Sequence, residues 1–284
     1  MVMVFALAAA LLYGSADFLG GAATRRAHVL SVLVLSATAG VSVLLIAALA
    51  SGDLPQPAGL AWGLSAGAIG GAGLIIFYVG LAAGPMGVVA PVSGLVAAVL
   101  PVGVALAQGE RPGALVYVGA AACLVAIVLA SSGGSAAAAP GRRRPAPVRA
   151  IGYGIVSGIS FGLFFLFMRN GGESGAFWPV TAARVAELTV ALIAVAVVRP
   201  GPLPRSAGSM PVLAAVGSGA IDAAASICYV AATRAGLFGL AVVLASLYPG
   251  VTVLLARIVL GERLGRVQRA GLALAALGIL VATV

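Results

Sequence analysis

Four charged side chains interrupt stretches that are otherwise apolar: Asp17 in LYGSADFLGG, Arg184 and Glu187 in TAARVAELTV, and Asp222 in AIDAAASICYV. A carboxyl in such a setting can exchange a proton, hold a cation, or pair with an arginine. Each use must offset a cost on the order of 2.5–3.5 kcal/mol for an acid at the centre of a membrane helix. That cost directs these residues to a cavity or a partner and away from lipid. Arg184 and Glu187 stand three apart, so a helix carries them on one face. They read as a buried ion pair that fixes packing, or as an arginine shared with a substrate carboxylate or a second acid. Asp17 and Asp222 have no opposite charge close in sequence. They are left with pairing to Arg184 or Arg234 in space, with proton exchange, or with cation binding. Tyr13, Tyr78 and Tyr229 can bring hydroxyls and rings to the same cavity, or pack between helices with their hydroxyls satisfied.

Other chemistry finds little support. The single histidine, His28, lies beside Arg25 and Arg26 in a short connector and reads as an interfacial residue, with no second ligand spaced to make a metal site. There is no H-E-x-x-H, no Ser/His pair and no Cys/His cluster, so an enzyme is not expected. Without a lysine the chain has no P-loop and does not drive transport with a nucleotide by itself. No cofactor is expected. Cys123 and Cys228 each fall within an apolar stretch and read as inert buried thiols.

The elements that position these residues follow from hydropathy. The chain is 62% hydrophobic and 8% charged, with a mean hydropathy of +1.18. Soluble domains carry about 25% charged residues, so the fold class is an all-α integral membrane protein. The location expected is the bacterial plasma membrane. The net charge of +9 comes from sixteen arginines with no lysine, all but Arg184 near or between the ends of apolar segments, where they act as topology signals and do not form a nucleic-acid surface. A spanning helix needs roughly 20 apolar residues. That rule predicts ten segments, near 2–23, 29–50, 59–82, 87–107, 113–131, 150–169, 177–198, 210–232, 239–259 and 267–284. The first lacks the basic flank of a signal peptide and reads as a retained helix. Trp62 and Trp178 each open a segment, a position suited to the headgroup level.

Residues 133–149, GGSAAAAPGRRRPAPVR, cannot bury a core and read as an exposed linker. The chain so divides into 1–131, a linker at 132–149, and 150–284, with five segments on each side. The two sides match in order. Tyr13-Gly14 corresponds to Phe161-Gly162 at an offset of 148, Phe77-Tyr78-Val79 to Cys228-Tyr229-Val230 at 151, and Gly109-Glu110-Arg111 to Gly261-Glu262-Arg263 at 152. An odd number of helices per copy inverts the second copy in the membrane, which places a shared cavity at the interface of the copies. Gly63, Gly67 and Gly71, and again Gly154, Gly158 and Gly162, recur every four residues and predict close helix approach. Glu110 and Glu262 sit at connector boundaries, where capping or an interfacial ion pair is the natural role.

Two five-helix repeats, an aromatic-Gly pair in the lead helix of each, and a duplicated G-E-R together resemble the drug/metabolite transporter superfamily, in its ten-helix EamA-type branch. LASLYPGVTVLLARIVLGERLGRVQRAG, residues 244–271, carries the most specific likeness. The resemblance implies secondary transport, commonly export of a small metabolite or drug, by alternating access around a central cavity. Asp17 and Asp222 depart from the apolar or small residues usual in the general pattern. The expected partners are a small-molecule substrate, lipid and protons, and no nucleic acid. The alternatives are an uncoupled facilitator or importer, and a membrane sensor or scaffold without flux.

Twelve of the sixteen arginines fall on one set of alternating connectors, counting Arg257 with the ninth. The positive-inside rule puts that face in the cytoplasm and both termini outside, whereas the resemblance implies termini inside. A reporter fused to the C-terminus is expected to report an external location; activity of a cytoplasm-dependent reporter there would reverse the assignment.

Overall fold

A computed structural model describes residues 1–83, 86–109, 113–131, 147–198, 209–236, 238–260 and 266–283. Outside the described residues lie most of the 132–149 linker, Glu110 and Glu262 of the duplicated tripeptide, and the breakers Gly84-Pro85 and Pro200-Gly201-Pro202. The side chain of Cys123 also lies outside them.

The described residues form eleven α-helices: α1 (Val2–Thr24), α2 (Val29–Ser51), α3 (Pro57–Ala83), α4 (Met86–Ala107), α5 (Ala114–Ser131), α6 (Pro147–Gly172), α7 (Phe177–Val198), α8 (Met210–Arg234), α9 (Phe238–Ala245), α10 (Tyr248–Leu260) and α11 (Arg266–Thr283). Among the described residues, seven helical runs are long and apolar enough to cross a membrane, one of them continuing from α9 into α10. Lipid-facing positions carry large apolar side chains in the open, such as Ile46, Leu49, Ile193, Val197 and Ile258. In water such a surface would be untenable; in a bilayer it is the expected solvent contact. This is an integral membrane protein.

Connector chemistry sets several ends. His28 caps α2, its Nδ1 accepting from the Leu30 N–H at 3.3 Å, and Gly52 ends the same helix with φ +72°. Arg257, assigned above to a connector, lies in the last turn of α10 and is buried. The helix α6 begins at Pro147, inside the stretch read as linker, because proline fits the first turn, where its missing N–H has no bond to lose.

One expectation needs correction: the ninth apolar segment is not a single helix. The chain breaks at Ser246 and Leu247, where the Leu247 N–H turns back to the Leu244 carbonyl at 3.2 Å, and α10 restarts at Tyr248-Pro249. Pro249 has no N–H to continue the ladder from α9. The break rests on α1, where Gly14 leaves room: a Cβ there would lie 2.5 Å from the Tyr248 carbonyl oxygen. Thr252 Oγ1 donates to the Gly14 carbonyl at 3.1 Å or to that of Tyr248 at 3.0 Å.

The principal contacts come in related pairs. The helix α1 lies along α8 as α6 lies along α3; α2 lies along α8 as α7 lies along α3; α9 and α10 pack on α1 as α4 packs on α6; and α5 pairs with α11. The glycine ladders make these approaches. Gly63, Gly67 and Gly71 meet Pro179, Ala183 and Glu187, so two four-residue repeats slot together across α3 and α7. Gly154, Gly158 and Gly162 carry α6 past Val92, Ser93 and Ala97 of α4. A Cβ at Gly67 would stand 1.9 Å from the Ala183 carbonyl oxygen, and one at Gly219 would stand 1.8 Å from that of Ser36. Neither neighbour is a flexible side-chain end, so the helices themselves would have to separate. Gly103 of α4 has nothing within 4 Å of the same position. Gly67→Ala and Gly219→Ala are therefore expected to destabilise the purified protein by about 1–3 kcal/mol or more, with Gly103→Ala neutral or slightly stabilising, as read by thermal unfolding.

Candidate functional site

A cavity with about 530 Å³ of space not filled by atoms, part of it continuous with the outside, opens where helices from both halves converge. Its charged lining is Asp17 from α1, Arg184 and Glu187 from α7, and Asp222 from α8. Four charges scattered over more than two hundred residues of sequence thus meet in one place.

Arg184 is the hub. Its Nη1 pairs with the Glu187 carboxylate and its Nη2 with the Asp222 carboxylate. Nη2 also donates to Ser226 Oγ at 3.0 Å. Ser226 in turn accepts from the Tyr13 hydroxyl at 3.1 Å, which ties α1 to the ion-paired core of α7 and α8. The Arg184 and Glu187 side chains are only 8% and 9% exposed, and Asp222 is 20% exposed, so the cluster sits largely out of solvent. Gly40 of α2 gives the arginine stem its room: a Cβ there would be 3.4 Å from the Arg184 Cδ.

Asp17 is different. Among the described residues it has neither a hydrogen bond nor an ion pair, although it faces the same cavity and lies within the field of Arg184. Of the two partners open to it from sequence, Arg184 is taken by Glu187 and Asp222, and Arg234 ends α8 in an exposed position.

Aromatic rings form much of the remaining wall. Tyr13 meets Phe165 edge-on with centroids 6.1 Å apart, and Tyr248 at 6.4 Å. Phe161 and Phe164 continue the α6 face, and Gly67, Gly70 and Gly71 of α3 border the cavity as well. Positions 148 apart in sequence share this lining. Tyr13 and Phe161 stand 148 apart, as do Asp17 and Phe165, and all four border the cavity.

The expected site residues divide accordingly. Tyr13, Asp17, Arg184, Glu187 and Asp222 line the cavity together, whereas Tyr78 and Tyr229 do not. Tyr229 is fully buried behind Phe165, donating to its carbonyl at 3.0 Å, and packs on that ring with centroids 4.8 Å apart. The Tyr78 hydroxyl fills the space that a Cβ would need at Gly20 of α1. Both tyrosines lie packed between helices, outside the cavity lining. Tyr248, Phe161, Phe164 and Phe165 also line the cavity and are not among the site residues expected from sequence. The signals were present in the Tyr-Pro-Gly breaker inside the ninth segment and in the i, i+3, i+4 spacing of the three phenylalanines.

A solved structure, described only as "Crystal structure of protein", superposes on 99% of this chain and 96% of its own with a TM-score of 0.75. The sequences are 20% identical, so the likeness is one of fold, over essentially the whole chain. Residues 148–284 match the EamA-like transporter family. No curated protein matches the chain by sequence.

Removing the hub should be severe. Arg184→Gln leaves Glu187 and Asp222 facing each other without a cation, and a loss of about 3–5 kcal/mol is expected. Adding Glu187→Gln and Asp222→Asn to the same protein should recover most of it. Thermal unfolding of the single and triple variants checks both, and equal losses would show that unpaired charge is not the cause.

Proposed function

We propose that the protein is a secondary active transporter that exports a small metabolite or drug by alternating access, with proton movement coupled at Asp17 or Asp222. The observation that carries the reading is the cavity itself. It is built from helices of both halves, and it holds a carboxyl, Asp17, with no ion-pair or hydrogen-bond partner among the described residues. The EamA-like transporter domain in residues 148–284 supports transport as the activity. The paired packing supports a ten-segment chain of two inverted five-helix repeats, since exchanging α1–α5 for their counterparts α6–α11 maps the main contacts onto one another. Two similar bundles that meet around one site can rock against each other and expose it to either side in turn.

Coupling follows from the charge arrangement. The groups facing Asp17 are Tyr13 on its own helix, Tyr248, and the Arg184–Glu187–Asp222 cluster, with Tyr78 nearby on α3. A proton on Asp17 changes the net charge of the cavity by one without disturbing the ion pairs that hold α7 to α8. Asp222 is the second candidate, and its protonation would release one arm of Arg184.

In proteoliposomes, Asp17→Asn is expected to abolish flux driven by a pH gradient while leaving the fold intact. Asp222→Asn is expected to impair both flux and stability. Undiminished coupling in both variants would refute proton coupling at these sites and favour an uncoupled facilitator.

A further inference from the structure

We propose that the cavity takes an organic cation, an amine carried on an aromatic or apolar body, and discriminates against carboxylates. This inference rests on reading the site as a transport cavity. The charged lining consists of three carboxyls, Asp17, Glu187 and Asp222, and one guanidinium, Arg184. An arginine in a cavity ordinarily suggests an anionic ligand, because its planar fork suits a carboxylate. Here both terminal nitrogens are already occupied, Nη1 by Glu187 and Nη2 by Asp222 and Ser226. A substrate carboxylate would have to displace one of these acids, or enter as a fourth carboxyl beside a single cation. Either course pays desolvation and repulsion for no net gain in pairing.

A cation meets the reverse situation. Asp17 has no hydrogen-bond or ion-pair partner among the described residues, and an ammonium placed against it completes a pair that the protein leaves open. Tyr13, Phe161, Phe164, Phe165 and Tyr248 line the same cavity as Asp17. Aromatic faces attract cations by their quadrupole and accept an apolar body by burial. The two halves divide the work. The repeat-related pair Asp17 and Phe165 supplies a charge from α1 and a ring from α6 at corresponding positions.

Three probes with one phenyl ring separate the possibilities: phenethylamine, which is a cation; phenylalanine, the same amine with an added carboxylate; and 3-phenylpropionate, which is an anion. Binding is measured by calorimetry on the purified full-length protein, and counterflow in liposomes. Phenethylamine is expected to bind at least about tenfold more tightly than the other two, and Asp17→Asn to weaken it by about tenfold or more. Phenylalanine or phenylpropionate binding as tightly as phenethylamine, or no binding of phenethylamine, overturns the proposal, as does full affinity in a folded Asp17→Asn protein. Should that variant fail to fold, the rank order on the unaltered protein still decides. The expected rank order without counterflow would support the ligand class while overturning the transport reading. Counterflow that prefers phenylpropionate would do the opposite.

Discussion

A guanidinium held away from water must be neutralised and hydrogen-bonded on the spot, and the centre of this protein is arranged around that requirement at Arg184. One partner, Glu187, comes from the same helix three residues on, and the other, Asp222, comes from α8. Ser226 completes the set and passes the constraint to Tyr13 of α1. Three helices are thereby registered by a single side chain. Isolated buried ion pairs often contribute little net stability. Their geometry is nonetheless demanding, and a demanding geometry near the middle of a bundle sets the relative heights of its helices. Because the cluster contains one more acid than base before Asp17 is counted, it also sets the sign of the cavity.

Close approach is the complementary requirement. In a bilayer there is little hydrophobic force between helices, so association depends on packing and on polar contacts. The ladder of Gly63, Gly67 and Gly71 against Pro179, Ala183 and Glu187 brings α3 onto the helix that bears Arg184. The contact of Gly219 with the Ser36 carbonyl does the same for α8 and α2. The two approaches join α3 to α7 and α8 to α2, helix pairs that pack alike. The packing of the two helix pairs is alike, while the charges are not: Phe165 lies 148 residues after Asp17 and lines the same cavity with a ring, and Gly40 lies where the arginine stem passes.

Much of this was legible before any coordinates. Hydropathy located every long helix to within a few residues, because an apolar run of the right length has few other fates in lipid. The glycine spacing foretold close packing, and the cost of charge at membrane depth pointed to the residues that line the cavity. What escaped was non-local or depended on direction. Asp222 lies 38 residues from Arg184, and nothing in either segment announces the other as partner. Tyr78 and Tyr229 resemble Tyr13 in type and setting, yet only the rotation of each helix decides which ring reaches the cavity. Arg257 looked like a connector residue because it stands close to the Gly-Glu-Arg stretch, but its own helix runs on past it to Leu260. The break at Ser246-Leu247 was hidden in a run that is apolar apart from Ser246 itself, with Tyr248-Pro249-Gly250 as its mark.

That break gives one apolar run two different tolerances for change. All eight residues of α9 are buried, so it is a plug with no face turned to lipid. Beyond the turn, α10 reaches the periphery, where Ile258 and Val259 are 70% and 63% exposed. Sequence drift is cheap on a lipid face, where one aliphatic side chain replaces another without a cavity or a clash. It is restricted in a plug, where every position has a neighbour of fixed shape. Among descendants of this chain, Phe238–Ala245 should therefore change slowly as a block, while the outer turns of Tyr248–Leu260 exchange Ile, Leu and Val freely.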